Sequence, residues 1–181
     1  VLQCQLESRA FAFGGGNSSG GGKEDATLFN KGLLPVSLGG KYGYVNKSGK
    51  FVINPQFEEA MPFTDNGLAC VKSNGKYGYI NTKGSFVINP QFTYATSFVN
   101  GYARVRNGDK WGYIDAKGEY VINPQFEYVS NFGENGLALV QQGGKYGFID
   151  KKGSFAINPQ FEDAFAFENG LAVVEMNGKY G

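Results

Sequence analysis

The chain of 181 residues contains no histidine, only two cysteines and a single tryptophan. Histidine is the commonest general base and a frequent metal ligand, so its absence argues against most acid–base and metal chemistry. Two cysteines cannot build a cysteine-based zinc site, and they allow one disulfide at most. No apolar run approaches the roughly 18 residues of a membrane span. We therefore expect no enzyme activity, no cofactor and no insertion into a membrane.

No charge of one sign dominates the chain. Seventeen basic residues stand against sixteen acidic ones, and neither kind forms a block. Nucleic acids and anionic membrane surfaces attract clustered positive charge, so we expect no nucleic-acid partner. No acidic residue recurs at the same position in every repeat. No carboxylate pair therefore indicates a glycosidase, and no run of oxygen ligands indicates a calcium site.

What the sequence does contain is one block that returns four times and begins a fifth time. Its opening lysines are Lys41, Lys76, Lys110, Lys145 and Lys179, at spacings of 35, 34, 35 and 34 residues. Self-similarity at such a period is typical of repeat proteins, whose units stack because none can bury its apolar face alone. The predicted organisation is an N-terminal arm with a Gly/Ser linker (1–25), a partial repeat (26–40), four repeats (41–75, 76–109, 110–144 and 145–178) and the start of a truncated repeat (179–181).

Each repeat is predicted to form three short strands. Aromatic and β-branched residues lie between Gly- and Asn-containing turns, and no window has the period of a helix. We expect Pro55 to end the third strand, because proline donates no hydrogen bond to the ladder. Gly43, inside the second strand, indicates that a neighbouring group packs directly over it. Phe57, Ala60 and Phe63 are expected to point into the core at a corner that leads to the next sheet.

We number as first the strand at 67–72, which leads into the opening lysine of the next block. Alternation along this strand predicts which of its side chains are buried. Ala69 and Val71 recur unchanged in every repeat, and both fall on one face of the strand. The position between them varies freely, so we expect it to face water or a partner. That variable position holds Cys70, Arg104, Leu139 and Val173.

The third repeat carries the most complete motif. Its opening, Lys110-Trp-Gly-Tyr-Ile-Asp115, is followed by Gly118, by Tyr120-Val-Ile-Asn-Pro-Gln-Phe126 and by Gly136-Leu-Ala-Leu-Val140. This pattern resembles the bacterial WG-repeat family over about residues 26–181. Only Trp111 keeps the tryptophan of the motif. Tyrosine replaces it elsewhere, at Tyr42, Tyr77, Tyr146 and Tyr180.

The resemblance implies arrays of variable length in bacterial proteins that are often envelope-associated or secreted, with no common catalytic activity. Variable length favours an open array over a closed ring. We therefore expect an all-β fold in which tandem antiparallel β-meander repeats stack as an open β-solenoid or superhelix. A β-propeller-like ring is the alternative. The expected location is secreted or at the cell surface.

Two sets of recurring side chains are candidates for a binding surface. One set consists of four rings, Tyr42, Tyr77, Trp111 and Tyr146. These rings would form a stacking ladder for a sugar or a peptide, although a place in the core between sheets is the favoured interpretation. The second set is Asn54 and Gln56 with their copies. The favoured interpretation is that these side chains satisfy backbone groups left without partners at the corner. A ligand-binding ladder is again the alternative.

The N-terminal arm and the cysteines suggest roles in assembly. The arm contains an apolar alternation, Arg9, Ala10, Phe11, Ala12 and Phe13. An array that starts and stops inside repeats exposes an unpaired edge, which the arm of a neighbouring copy would complete by strand addition. If Cys70 lies in a strand, the default interpretation is a buried residue that packs as a small hydrophobic side chain. The second possibility is a Cys4–Cys70 disulfide, within one chain or between two, in an oxidising compartment.

The leading functional hypothesis is a structural protein of the bacterial envelope or exterior. Copies of the chain would join head to tail into a filament or scaffold, since such interfaces polymerise when they do not close into a ring. The alternative is a monomeric module that binds another protein or a glycan. In that case the variable strand positions would contact the ligand.

Overall fold

A computed structural model describes residues 29–181, and every regular element in that range is a β-strand. The strands form five antiparallel sheets in chain order. Sheet 1 contains β1 (Leu33–Leu38), β2 (Lys41–Asn46) and β3 (Phe51–Phe57), and sheet 2 contains β4 (Glu59–Ala60), β5 (Ala69–Ser73), β6 (Lys76–Ile80) and β7 (Phe86–Phe92). Sheet 3 contains β8 (Tyr94–Ala95), β9 (Ala103–Asn107), β10 (Lys110–Ile114) and β11 (Tyr120–Phe126). Sheet 4 contains β12 (Tyr128–Val129), β13 (Ala138–Gln142), β14 (Lys145–Ile149) and β15 (Phe155–Phe161), and sheet 5 contains β16 (Asp163–Ala164), β17 (Val174–Met176) and β18 (Lys179–Tyr180).

The predicted all-β fold of tandem antiparallel meanders is confirmed. Each sheet spans a repeat boundary, because one strand of sheet 1 and two strands of every other sheet precede the opening lysine of the next block. The chain passes from sheet to sheet at a single residue such as Glu58, where β3 ends and β4 begins in the following sheet. At this corner Phe57, Ala60 and Phe63 pack into one cluster, as the sequence predicts.

The core lies between consecutive sheets. Between sheets 2 and 3, Tyr79 and Ile88 of one sheet meet Ala103 and Val105 of the other. Equivalent clusters fill the other three junctions. Extensive contacts between strands occur only within one sheet or between neighbouring sheets. The described sheets therefore do not close into the ring that a propeller requires. No helix in residues 29–181 has the length and apolar character needed to cross a bilayer.

The prediction that proline ends the third strand is wrong. Strand β3 continues through Pro55 to Phe57, because Tyr42 pairs with Phe57 while Tyr44 pairs with Ile53. Three residues, 54–56, separate Ile53 from Phe57 in β3, whereas only Gly43 separates Tyr42 from Tyr44 in β2. The third strand therefore forms a bulge opposite Gly43. A Cβ on Gly43 would stand 2.5 Å from the Ile53 carbonyl oxygen, so only glycine fits. Proline suits this bulge, since it has no N–H to leave unpaired.

The prediction for the variable position of the first strand is also wrong in the interior of the array. Cys70 and Leu139 are almost fully buried, and each packs against the next sheet instead of facing water. The Cys70 thiol donates to the Ala95 carbonyl at 3.7 Å, and Arg104 donates to the Val129 carbonyl at 3.1 Å. The position varies because each residue fits a different neighbour.

A tyrosine ties each of the first three junctions together. Tyr44, Tyr79 and Tyr113 lie in β2, β6 and β10 and are fully buried. Their hydroxyl groups donate across the junction to the carbonyl oxygens of Met61, Thr96 and Ser130, at 2.8, 2.8 and 2.7 Å. Burial raises the pKa of all three phenols far above the usual value, so they remain protonated donors.

Candidate functional site: an aromatic strip

The four rings proposed as a ladder all lie at the edge of a junction cluster. Tyr77 is buried, and the other three are half-buried. Tyr42, Trp111 and Tyr146 each pack against the cluster between their own sheet and the next. The four rings therefore contribute to the core, and they do not form a freely exposed ladder by themselves.

Two further tyrosines, which the sequence analysis missed, extend this edge into solvent. Tyr94 and Tyr128 lie in the short strands β8 and β12 and are 39% and 42% exposed. The Tyr94 ring centroid is 5.1 Å from that of Tyr77 and 5.7 Å from that of Trp111. The Tyr128 centroid is 6.3 Å from that of Tyr146. We call these five residues, Tyr77, Tyr94, Trp111, Tyr128 and Tyr146, the aromatic strip.

Strand pairing explains why these rings meet. In sheet 3 Arg106 pairs with both Tyr94 and Trp111, so the three side chains share one face. In sheet 4 Gln141 is flanked by Tyr128 and Tyr146 in the same way. The available sequence signal was weak, since the positions of Tyr94 and Tyr128 hold Glu59 and Asp163 in the outer repeats. A search for residues that recur in every repeat passes over them.

Arg106 places a cation in the middle of the strip. Its guanidinium carbon stands 6.0 Å from the centre of the Trp111 ring, within range of a cation–π interaction. Its Nε atom is buried and has no hydrogen-bond partner among residues 29–181. A buried polar nitrogen without a partner is uncommon in folded proteins, and the Nε atom of Arg104 shares this property.

Charged side chains bound the strip at both ends. Tyr77 donates to Glu59 at 2.8 Å, and Lys72 pairs with the same carboxylate at 2.9 Å. Partial burial works to raise the pKa of Glu59, but the hydrogen bonds from Lys72 and Tyr77 outweigh it and lower the pKa. At the other end Tyr180 donates to Asp163 at 3.2 Å. Within the aromatic strip, the two exposed rings are Tyr94 of sheet 3 and Tyr128 of sheet 4.

The second predicted ladder consists of Asn54, Gln56 and their copies, which were expected to bond backbone groups at the corner. Asn54 and Gln56 are exposed, and so are their equivalents in the three later copies of the third strand. Among the hydrogen bonds of the described residues, only one comes from these side chains, from Gln56 Nε2 to the Asn54 carbonyl at 3.3 Å. The expectation that they satisfy corner backbone groups therefore holds only for Gln56, and the other seven side chains make no such contact among the described residues.

The remaining candidates fall partly outside the described residues. The arm residues Arg9 to Phe13 and Cys4 lie there, so strand exchange and the Cys4–Cys70 disulfide stay predictions. Cys70 itself is buried between sheets 2 and 3, and burial raises the pKa of its thiol to about 12. Within residues 29–181 no group of three or more Cys, Asp or Glu side chains is close enough to hold a metal ion.

Comparison with known proteins identifies the repeat. The family model for the WG containing repeat matches four successive segments, at residues 42–77, 77–111, 111–146 and 146–180. No curated protein matches the sequence. Among solved structures, the chain is similar to a protein of unknown function from Bacteroides caccae, at 18% identity with a TM-score of 0.35. That similarity covers 78% of this chain and 64% of the other, so the chain spans less than two thirds of that protein. Since the repeat model matches nearly all of the described residues, the chain belongs to the WG-repeat family.

Proposed function

We propose that the chain is a non-catalytic binding module whose aromatic strip holds a segment of a partner protein. The observation that supports this most is the pair Tyr94 and Tyr128, which stay about 40% exposed beside more deeply buried rings. Tyrosine, tryptophan and arginine are the residue types most enriched at the energetic centres of protein interfaces. Tyrosine and tryptophan also provide large contact areas while little side-chain freedom is lost.

The architecture suits such a role. Sheets that contact only their neighbours build an extended surface, and we propose that the five sheets continue as an open superhelical array. A partner segment would lie across sheets 3 and 4, with Trp111 and Arg106 between Tyr94 and Tyr128. We propose no cofactor, no nucleic-acid partner and no membrane insertion. A secreted or cell-surface location remains a proposal that rests on the family.

The exposed tyrosines offer a matched test. Peptides selected by display on the purified domain would be measured against Tyr94→Ser combined with Tyr128→Ser. Each such change removes an aromatic anchor, so we expect binding to weaken at least about tenfold. Tyr120→Ser is the control, because Tyr120 is equally exposed at 40% but lies on the third strand of its block. Equal losses in the two variants, or no loss in the first, would contradict the proposal.

A second candidate function is head-to-tail self-assembly into a filament or scaffold. One observation favours it. Phe165, Leu171 and Val173 of the last repeat are 57%, 78% and 50% exposed. Of their equivalents in the earlier repeat, Leu68 and Cys70 are buried and Met61 is half-buried, and all three pack in the cluster between sheets 2 and 3. We propose that a second copy of the chain covers this apolar face.

Light scattering would test the assembly. A chain that self-assembles should grow in mass with concentration and show fibres by negative-stain microscopy. Leu171→Lys combined with Val173→Lys should abolish that growth, because a stacked junction cannot bury two unpaired charges. A wild-type chain that stays monomeric at every concentration would rule this function out.

A further inference from the structure

The third strand of every block presents an uncharged surface that its own fold does not use. The four copies, 51–57, 86–92, 120–126 and 155–161, contain no charged residue. Asparagine and glutamine recur within each copy and are exposed in all four. We call these eight side chains the amide ladder. They are Asn54, Gln56, Asn89, Gln91, Asn123, Gln125, Asn158 and Gln160.

Other recurring amides in this fold have evident structural work. The Asn46 and Asn81 side chains each accept two backbone N–H groups in the turn that follows them. Asn66 and Asn135 each accept one. The amide ladder contributes a single hydrogen bond among the described residues, the contact within Gln56 and Asn54. Seven of the eight amide side chains thus recur without a hydrogen-bond partner among the described residues.

An exposed aromatic ring begins each of the last three copies of the third strand. Phe86, Tyr120 and Phe155 are each about 40% exposed at the start of their strands. Each ring stands edge-on to a buried phenylalanine of the preceding block, with centroids 6.1 to 6.3 Å apart. Val52 and Val87, about half exposed, add aliphatic surface beside them. Each block therefore offers an aromatic ring and two amides, with no charge among them.

The backbone of this edge argues against an added protein strand. β3, β7, β11 and β15 are the last strands of their sheets, where a partner strand would pair. However, each has two register shifts and a central proline. Bulges and proline are the devices that prevent edge-to-edge pairing. Recognition here must therefore use side chains more than a ladder of main-chain hydrogen bonds.

We propose that the amide ladder binds a neutral polysaccharide that crosses successive repeats. Amides both donate and accept hydrogen bonds, and so do sugar hydroxyls. The exposed rings and valines can pack against the apolar C–H faces of sugar rings. A charged polymer would find no counter-charge on these strands. One chain that contacts several repeats gains affinity from each contact, since later contacts form within the same complex.

A neutral-glycan array carrying hexaoses derived from cellulose, chitin and xylan would test this inference. We expect at least one of these probes to bind, with little change between low and high salt, because no ion pair is involved. A fourfold variant, Asn89→Ala, Gln91→Ala, Asn123→Ala and Gln125→Ala, should weaken that binding tenfold or more. All eight positions are exposed, so its thermal unfolding should match the wild type.

Two controls separate this site from the aromatic strip. Tyr120→Ser should also weaken glycan binding, whereas Tyr94→Ser should leave it unchanged. Lys83→Ala combined with Glu119→Ala, which are exposed and next to the ladder strands, should have no effect. The inference is overturned if no neutral hexaose binds, if the fourfold variant binds as well as the wild type, or if binding disappears at high salt. Tyr120→Ser and Tyr94→Ser are expected to weaken the binding of different ligands. Glycan binding at the amide ladder is therefore tested independently of peptide binding at the aromatic strip.

Discussion

The junction between sheets 2 and 3 and the junction between sheets 4 and 5 are built from nearly the same residues, yet they differ in burial. In the first, Ile88 is 3% exposed and Val105 is fully buried. In the second, the equivalent Ile157 and Val174 are only half-buried. Tyr79 also donates across the first junction, whereas Phe148 occupies that place in the second and has no hydroxyl. Burial therefore belongs to the junction between sheets and not to the single repeat.

The largest expected effect is that of a methyl group added under the bulge. In Gly112→Ala the Cβ would stand 2.4 Å from the Ile122 carbonyl oxygen and 2.7 Å from the Pro124 nitrogen, both backbone atoms. We expect a loss of about 3 kcal/mol in the free energy of unfolding, since the strand must move. In Gly147→Ala the Cβ would stand 2.6 Å from the Ile157 carbonyl oxygen and 2.7 Å from the Pro159 nitrogen. We expect a smaller loss for this variant, because the less buried junction can shift more easily.

Urea unfolding followed by Trp111 fluorescence and circular dichroism would measure both variants. The exposed Ser85→Ala is the control and should change stability by less than about 0.5 kcal/mol. A cost below about 1 kcal/mol for Gly112→Ala would show that the bulge does not need glycine.

The second effect in size comes from truncating the same valine in the two junctions. Val105→Ala removes two methyl groups from a fully buried site, so we expect a loss of about 2 kcal/mol. Val174→Ala acts at a half-buried site and should cost about half as much. Denaturation midpoints compared at equal slope would measure the difference. Equal costs would mean that the two junctions are packed alike.

The tyrosine that ties the junctions gives a smaller effect. Tyr79→Phe removes the donor to the Thr96 carbonyl at 2.8 Å and should cost about 1 kcal/mol. Phe148→Tyr restores the missing hydroxyl, and the Phe165 carbonyl would be its acceptor by analogy with the earlier repeats. We expect that variant to be neutral or slightly stabilising. A destabilising Phe148→Tyr would contradict the equivalence of the junctions.

The smallest expected effect depends on pH. Glu127 accepts from the Gly144 and Gly143 amides and from Lys110, and these contacts lower the pKa of its carboxyl group. A pKa that is lower in the folded state stabilises the fold above the unfolded value. That contribution is lost as pH falls through the folded pKa. Thr93, at the equivalent corner of the earlier sheet, bonds the Arg106 carbonyl and carries no charge.

We therefore expect stability to fall as the pH drops through and below the usual range of glutamate pKa values, and Glu127→Gln to flatten that dependence. Urea midpoints measured across this range would show it, with Thr93→Ser as a variant that leaves the slope unchanged. The effect should be modest, because Glu127 is exposed and solvent screens its contacts. A slope that Glu127→Gln leaves intact would assign the acid sensitivity to other carboxylates.

Local features were predictable because they depend on residues a few positions apart. The repeat length, the strands, the Asn-Gly turns and the glycine beneath a close backbone all follow from such patterns. Asn74 and Gly75, for example, have the positive φ angles that their hairpin turn requires. Gly43 has the Ile53 backbone directly over it, as its place inside a strand indicated. The corner formed by Phe57, Ala60 and Phe63 belongs to the same class.

Exposure was harder to predict, because each interior sheet is covered on both faces. Alternation then no longer separates core from surface. Cys70 was therefore assigned to the outside although it packs on the next sheet. The bulge at Asn54, Pro55 and Gln56 turned two amides toward solvent where a corner role was favoured.

An all-β repeat of this family follows directly from the amino-acid sequence, since spacing, turns and the recurring motif are properties of the chain alone. The folded sheets, in contrast, place Tyr94 beside Trp111 and Tyr128 beside Tyr146. The rings of each pair meet because both flank the same residue of the strand between them, Arg106 or Gln141. The physical reason is that short-range sterics set the strands and turns, whereas the contact between successive sheets determines which side chains remain in water.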